Sequence, residues 1–259
     1  MKKSNALSAG ISIVTVLLTI FSNVAGATFV EPAKRILVFG DSNSWGWKPV
    51  ANFFPTDRYP RDMRWPGVLD NELGKNYVVI EEALSARTSI FDDDTFEGLG
   101  MPLPGHSFNG LKALPGIIAS HMPLDLVIIM LGGNDVKAQF AASPLDISLG
   151  LLQLASEVKK NSGLGTIYSP AQVMIVSPVP LGESPDNDLV KSIFPQESIE
   201  KSLALAGVLG PLAIAANIPF FDAASVVPRV KGIDGVHLTR STHNALGKAI
   251  AKEVKKILK

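Results

Sequence analysis

A chain of 259 residues with 46% hydrophobic side chains is long enough to bury one sizeable core and leaves room for at most two small domains. Lysine plus arginine and aspartate plus glutamate balance at 24 each, so no overall charge points to nucleic acid or to an anionic membrane as a partner. The chain has no cysteine, which excludes disulfides, thiolate catalysis and cysteine-based zinc sites.

The first 27 residues have the pattern of a secretory signal peptide. A start with two lysines is followed by the apolar stretch Ile11–Phe21 and by the small-x-small site Ala25-Gly26-Ala27. The alternative is an uncleaved anchor, but a spanning helix needs about 20 apolar residues and this stretch is shorter. We therefore expect cleavage after Ala27, a single domain over residues 28–259, no stable membrane insertion after cleavage, and a periplasmic or secreted protein.

Along residues 28–259, short apolar runs alternate with segments of helical periodicity. Strands are predicted at Lys34–Phe39, Tyr77–Ala83, Leu124–Leu131, Gln172–Val176 and Ile218–Asp222. Helices are predicted at Trp65–Leu73, Asn109–Ser120, Pro144–Lys160, Glu197–Ala216 and Ser241–Leu258. This alternation predicts one α/β domain, a three-layer sandwich around a five-stranded parallel sheet.

Three irregular segments, Trp47–Arg64, Asp92–His106 and Gly182–Pro195, separate these elements. Loops of this length in a compact domain are usually functional or mobile. The acidic cluster Asp92–Asp94 in the second segment is interpreted as part of a solvated loop rather than as a cation site.

Ser42 directly follows the first predicted strand, within Gly40-Asp41-Ser42. It therefore lies at the carboxyl edge of the sheet, where open α/β sheets bind ligands. A serine there can act as a nucleophile only with a base, a group that orients the base, and donors for an oxyanion. Asp41 is interpreted as a residue that fixes the turn through hydrogen bonds to the backbone, and Asp135 as a brace of its own loop.

The loops at other strand ends contain residues of the required types. An aspartate three residues before a histidine, as in Asp234 and His237, can fix the tautomer of the imidazole and leave its other nitrogen free for the serine proton. The backbone N–H of Ala86 and the side-chain amide of Asn134 are candidate oxyanion donors. Each motif alone is a common turn or helix cap, but their order along the chain, each at a strand end, favours an acyl-transfer site.

Two tryptophans, Trp45 and Trp47, lie within five residues of Ser42. Packing in the core is the usual role of tryptophan. Their place on the loop beside the candidate nucleophile makes both candidates for the wall of a substrate pocket.

Gly-Asp-Ser, Gly-x-Asn-Asp and Asp-x-x-His, in this order, resemble the blocks of the GDSL, or SGNH, hydrolase superfamily. Within it the chain looks most similar to the bacterial arylesterase and acyltransferase branch. The matching segments are Phe39–Trp47, Arg64–Gly67, Glu81–Thr88, Pro123–Gly132 and Asp234–His237. The resemblance implies a flavodoxin-like sheet, one SGNH hydrolase domain over residues 28–259, and ester hydrolysis through a serine acyl-enzyme.

The resemblance also implies a role for each matched residue. It makes Ser42, Asp234 and His237 the catalytic triad, and it makes the N–H groups of Ser42 and Ala86 and the amide of Asn134 the oxyanion hole. Alanine stands at position 86, where the superfamily usually has glycine, although the arylesterase branch has the same alanine. Asn43 stands where leucine usually follows the serine, which implies either altered packing under the nucleophile or an added polar contact.

Together these expectations predict an exported serine esterase that acts on short-chain aryl or alkyl esters and that can also transfer acyl groups to alcohols. A carbohydrate O-deacetylase, a lysophospholipase or thioesterase, and a non-enzymatic binding module that retains the motifs are the alternatives. A small-molecule ester is the expected partner, and no metal or cofactor is implied. The arylesterase branch includes multimers, so a homo-oligomer remains open, although no interface is evident in the sequence.

Overall fold

The computed structural model describes residues 31–95, 103–183 and 187–259. The signal peptide predicted over residues 1–27 lies outside the described residues. Residues Ala33–Lys259 make up one unit. Its five strands form an all-parallel sheet, which confirms the predicted α/β fold class.

The sheet has the strand order β2-β1-β3-β4-β5. The strands are β1 Lys34–Gly40, β2 Tyr77–Ala83, β3 Leu126–Met130, β4 Gln172–Val176 and β5 Phe220–Phe221. The helices are α1 Ser42–Trp45, α2 Trp65–Leu73, α3 Gly110–His121, α4 Pro144–Asn161, α5 Asp188–Ile193, α6 Gln196–Ala215 and α7 Arg240–Ile257. Because all strands are parallel, the loops that follow them meet at one edge of the sheet.

Successive side chains of β1 point to opposite faces of the sheet, and each face is covered by helices. Leu37 and Phe39 belong to a core formed with α3, α4 and α6, whereas Ile36 and Val38 belong to a second core formed with α2 and α7. Both faces of the central strands are therefore buried, which explains why these strands are almost wholly apolar in sequence. Helix α6 is long and apolar enough to cross a membrane by length and composition, yet part of its surface belongs to the first core.

Two of the helices given above were not predicted from the sequence. Helix α1 is a single turn that starts at Ser42, too short to show a periodicity in the sequence. Its N-cap Asp41 accepts a hydrogen bond from the backbone N–H of Asn43, and Gly46 ends it in the left-handed region at φ 94°. Helix α5 lies in the segment predicted to be irregular, and β5 is shorter than predicted.

The acidic cluster Asp92–Asp94 is not a uniformly solvated loop, so that interpretation was wrong for Asp93. Asp93 is fully buried and forms an ion pair with Lys137, which is also buried. Burial alone would raise the pKa of Asp93, but the charge and hydrogen bond of Lys137, together with hydrogen bonds from Thr95, lower the pKa. Asp92, by contrast, forms an exposed ion pair with Lys112.

Candidate active site

The loops at the carboxyl edge of the sheet bring the candidate residues around one cavity of about 250 Å³. Ser42 reaches it from the end of β1, Ala86 from the end of β2, Asn134 from the end of β3, and His237 from the loop between β5 and α7. The rest of the lining is largely apolar and includes Trp47, Phe53, Phe54, Pro55, Phe194 and Val236.

Ser42, His237 and Asp234 form a continuous hydrogen-bonded chain. The Oγ atom of Ser42 lies 3.0 Å from Nε2 of His237, and Nδ1 of His237 lies 2.7 Å from Oδ2 of Asp234. Gly235, at φ 70°, allows the tight turn that brings the carboxylate back to the imidazole. With Nδ1 held by the carboxylate, Nε2 is free to take the hydroxyl proton, which is the geometry of a serine nucleophile and its base.

The carboxylate of Asp234 is fully buried but well supplied with donors. Its Oδ1 accepts hydrogen bonds from the backbone N–H groups of Val236 and His237. Burial alone would raise the pKa of Asp234, but the hydrogen bond and charge of His237, together with these N–H groups, hold the pKa below its ordinary value. Asp234 is therefore ionised where it meets the imidazole.

Three residues that line the cavity, Ser42, Ala86 and Asn134, carry candidate oxyanion donors. Within residues 31–95, 103–183 and 187–259, the backbone N–H groups of Ser42 and Ala86 have no acceptor. One amide N–H of Asn134 donates to the backbone carbonyl of Arg87 at 3.2 Å, which orients the amide and leaves its second N–H available. These three groups are of the kind that stabilise a tetrahedral oxyanion.

Two further carboxyl groups, of Asp41 and Asp135, are buried and are sequence neighbours of Ser42 and Asn134. Burial raises the pKa of Asp41 to about 7 and the pKa of Asp135 to about 6. Asp41 caps α1, and Asp135 accepts a hydrogen bond from the backbone N–H of Ser89 at 2.9 Å. Both therefore contact backbone rather than the cavity: Asp41 fixes the turn at the nucleophile, and Asp135 ties the loop after β3 to the loop after β2.

The two tryptophans near Ser42 have different surroundings. The ring of Trp47 stacks on the imidazole of His237, with centroids 5.0 Å apart and planes inclined by 16°, and it lines the cavity. Trp45 is not among the lining residues. The guanidinium of Arg58 lies over its ring at 4.9 Å and donates to its backbone carbonyl, so its main polar contacts are with Arg58 rather than with the cavity.

Sequence reasoning missed most of the apolar lining. Phe53, Phe54 and Pro55 come from the irregular segment Trp47–Arg64, whose prolines and aromatic residues were the one available signal. Phe194 comes from the end of the unpredicted helix α5.

The comparison with protein families agrees with this geometry. The GDSL-like Lipase/Acylhydrolase family matches residues 38–245 of the chain. The protein belongs to this family. It is a carboxylic ester hydrolase of the SGNH superfamily, as the sequence motifs predicted.

Several solved structures resemble this GDSL hydrolase. The native M. smegmatis aryl esterase is 46% identical with a TM-score of 0.80, and the match covers 87% of this chain and 100% of that one. The carbohydrate acetylesterase Est24 from Sinorhizobium meliloti is 41% identical with a TM-score of 0.79, covering 86% and 99% of the two chains. A further carbohydrate acetylesterase family member from the same organism is 32% identical with a TM-score of 0.77, covering 87% and 99%. A comparison with curated proteins found no match.

The two departures of this GDSL hydrolase from the usual motifs have structural counterparts. Ala86 has φ 69°, in the left-handed region that favours glycine, which explains why glycine is usual at this position. Asn43 makes polar contacts with the loop that carries His237. Of the two effects expected for asparagine at position 43, the structure thus shows the added polar contact.

Proposed function

We propose that this GDSL hydrolase cleaves short-chain esters of aromatic or apolar alcohols through an acyl-enzyme on Ser42. The observation that carries the proposal is the chain of hydrogen bonds from Ser42 through His237 to Asp234, at the wall of a small apolar cavity. A cavity of about 250 Å³ suits a small ester.

The proposed reaction gives each polar group of the site a role in acylation. His237 Nε2 takes the Ser42 proton as Oγ attacks the ester carbonyl carbon. The resulting oxyanion accepts hydrogen bonds from the N–H groups of Ser42 and Ala86 and from the Asn134 amide, while Asp234 stabilises the imidazolium. The imidazolium then gives its proton to the departing alcohol, and the acyl group remains on Ser42.

Deacylation repeats these steps with a new acceptor. Water gives a proton to His237 and attacks the acyl carbon, and Ser42 regains its proton as the acid leaves. A second alcohol in place of water gives acyl transfer. The aromatic rings of Trp47 and Phe53, both close to the imidazole, favour an apolar alcohol at this point. We therefore propose transfer to alcohols as a second activity.

The apolar lining favours aryl and alkyl alcohols over sugars. Sugar hydroxyls that enter such a cavity lose hydrogen bonds to water and find few partners there. A carbohydrate O-deacetylase remains the second candidate, supported by the similarity to Est24. The size of the cavity argues against long acyl chains, and hence against a lysophospholipase or thioesterase.

The first test is hydrolysis of p-nitrophenyl esters from acetate to palmitate by the wild-type protein and by Ser42→Ala and Ser44→Ala. Ser44 is the matched control, because it is a buried serine of the same helix. We expect rates that peak at acetate or butyrate, that fall by about 10³-fold or more in Ser42→Ala, and that change little in Ser44→Ala. Activity that survives in Ser42→Ala would overturn the proposed site, and a peak at long chains would favour the lipid-ester alternative.

Two further assays test the substrate class. Phenyl acetate and acetylated sugars compared at equal concentration separate the aryl esterase from the O-deacetylase, and we expect the aryl ester to be preferred. Product analysis with excess alcohol tests acyl transfer. Hydrolysis as the sole outcome would remove transfer from the proposal.

We also propose that the protein is exported, on the basis of the signal-peptide pattern of residues 1–27. Expression of the full chain in a bacterium, followed by cell fractionation and N-terminal sequencing, tests this. We expect a mature protein that starts at Thr28 in the periplasm or medium. Unprocessed protein in the cytoplasm would contradict it.

A further inference from the structure

The residue after Ser42 joins the helix of the nucleophile to the loop of the histidine. The Nδ2 atom of Asn43 donates to the backbone carbonyl of Val236 at 3.1 Å, and its Oδ1 accepts from the backbone N–H of Leu238 at 2.9 Å. Val236 and Leu238 are the two neighbours of His237 in the chain. One side-chain amide therefore holds the backbone on both sides of the histidine.

Few side chains can make this contact. It needs a donor and an acceptor on one planar group, and an amide provides both. The carbonyl of Val236 can only accept and the N–H of Leu238 can only donate, so these partners also fix which way the amide points. A leucine at position 43 would leave both backbone groups without this partner, and Leu238 is fully buried.

The other contacts of His237 cannot replace this link. Asp234 holds Nδ1, but it lies on the same loop and moves with it. The rings of Trp47 and Phe53 pack against the imidazole without a directional bond. In the part of the chain that the structure describes, residues 234–238 are hydrogen-bonded to α1 through the Ser42–His237 bond and the two bonds of Asn43.

We propose that Asn43 is a positioning residue that sets Nε2 of His237 against Oγ of Ser42, an inference that rests on the function proposed above. Ser42 and Asn43 are neighbours in α1, whereas both of their partners lie about 195 residues away in the chain. The amide of Asn43 thereby fixes the backbone around His237 relative to helix α1, which carries Ser42.

The main test compares Asn43→Leu with wild type on p-nitrophenyl acetate. A displacement of about 1 Å between catalytic groups can reduce the rate by about 10²-fold, so we expect kcat to fall by about 10- to 100-fold. We expect KM to change by less than about threefold, because the cavity wall is unchanged. The rate at which a phosphonate ester labels Ser42 should fall in parallel with kcat.

Asn109→Leu is the matched control. Asn109 is a buried amide that, like Asn43, donates to one backbone carbonyl and accepts from one backbone N–H, here those of Ile90 and Lys112, and it also donates to the carboxylate of Asp92. Its loss should lower Tm while kcat falls far less than in Asn43→Leu. Equal losses of kcat in the two variants would mean that position 43 has a general structural role, and would overturn the proposal.

Asn43→Asp gives a second test that does not depend on Asn43→Leu folding. An aspartate keeps the acceptor for Leu238 but faces the carbonyl of Val236 with a second acceptor, and protonation restores a donor there. The ratio of variant to wild-type kcat should therefore rise as pH falls from 8 to 5. A ratio that does not change with pH would overturn the proposal.

The Ser42→Ala variant separates this inference from the proposed function. If Ser42→Ala is inactive and Asn43→Leu keeps wild-type kcat, the positioning role alone fails. If Ser42→Ala remains active, the proposed reaction fails and the role of Asn43 fails with it.

Discussion

Two walls of different construction meet at Ser42. In the polar wall, Asn134 and His237 line the cavity, and the name also covers the buried carboxyl groups of Asp41, Asp135 and Asp234, which do not line it. The aromatic wall consists of the lining residues Trp47, Phe53, Phe54, Pro55 and Phe194. The residues of the polar wall come from the loops after β1, β3 and β5 and are fixed by hydrogen bonds, several of them with buried carboxyl groups. Burial of Asp41 and Asp135 raises their pKa values and opposes folding at neutral pH, whereas burial of aromatic rings favours folding. The polar wall is therefore a functional feature that lowers stability, and the aromatic wall combines function with stability.

The aromatic wall also depends on charge, but at its outer side. Arg58, Arg61 and Arg64, from the same irregular segment, converge on the carboxylate of Glu81 in β2. Arg58 in addition covers Trp45. The loop is thus anchored to the sheet on its outer side, and its inner side presents rings to the cavity. We expect changes in this wall to alter which substrate fits, and changes in the polar wall to alter the rate.

The largest expected effect comes from removing charge in the polar wall with Asp234→Asn. The amide keeps the shape but favours the wrong tautomer of His237, and comparable changes in serine hydrolases reduce kcat by about 10⁴-fold. We expect a fall of about 10³- to 10⁴-fold in kcat on p-nitrophenyl acetate with little change in KM. Asp222→Asn, at a cap on the same side of the sheet, serves as the control and should keep wild-type kcat. A loss below about tenfold would show that Asp234 is not coupled to the reaction.

The stability cost of the polar wall is tested by Asp41→Asn. The pKa of Asp41 rises from 3.8 to about 7 in the folded protein, so between these values the folded state keeps a proton that the unfolded state has lost. The free energy of unfolding of wild type, relative to the variant, should fall by up to about 1.4 kcal/mol per pH unit as pH rises through this window. Above about pH 7 the difference should be constant. Urea unfolding from pH 4 to pH 8 measures it.

Asp146→Asn is the control for this experiment. Hydrogen bonds from Ser143 lower the pKa of Asp146, so its contribution is present at neutral pH and is lost as pH falls through the lowered pKa. This loss occurs only below the ordinary pKa of 3.8, so between pH 4 and pH 8 the difference between wild type and Asp146→Asn should stay nearly constant while the difference for Asp41→Asn changes. A difference for Asp41→Asn that is equally constant would contradict the unfavourable burial of Asp41.

The aromatic wall is tested by Phe54→Ala. Phe54 lines the cavity and is 37% exposed, so its loss should leave the fold intact. Loss of a ring contact of about 1.4 kcal/mol would reduce kcat/KM for phenyl acetate about tenfold, mainly through KM, and have less effect on methyl acetate. Ile167→Ala, at a side chain that is 98% exposed and outside the cavity lining, should change neither. Equal losses for both esters would mean that this wall does not select the alcohol.

The two walls also differ in how far the sequence predicted them. Asn134 and His237 could be placed because each follows a strand or lies in a recognisable turn, and parallel strands bring such loops to one edge. The partners of Asn43 could not be predicted, because they lie about 195 residues away and depend on the packing of two loops. The ion pair of Asp93 and Lys137 was missed for the same reason, because the two residues are 44 positions apart in the chain. In addition, single charged residues are usually exposed to solvent, so the sequence favoured a solvated loop.

The aromatic wall has no comparable sequence signal. Irregular segments lack a periodicity that would assign side chains to a face. Trp45 and Trp47 illustrate this. They are only two positions apart, yet the ring of Trp45 packs against the guanidinium of Arg58 and the ring of Trp47 stacks on the imidazole of His237. The fold class and the order of the elements were predictable from alternation and composition, whereas the ring contacts within a loop were not.

The smallest effect on stability and kcat is expected for Ala86→Gly, which relieves backbone strain at a candidate oxyanion donor. At φ 69° an alanine is strained by about 1–2 kcal/mol, and glycine relieves this but loses about 0.5–1 kcal/mol of conformational entropy on folding. The variant should thus be more stable by at most about 1.5 kcal/mol, and kcat should stay close to wild type because glycine keeps the N–H. Ala141→Gly, at φ 48° and outside the cavity lining, is the matched control and should gain similar stability. If Ala86→Gly alone reduced kcat, the methyl group of Ala86, and not only its N–H, would be needed to hold the oxyanion donor rigid.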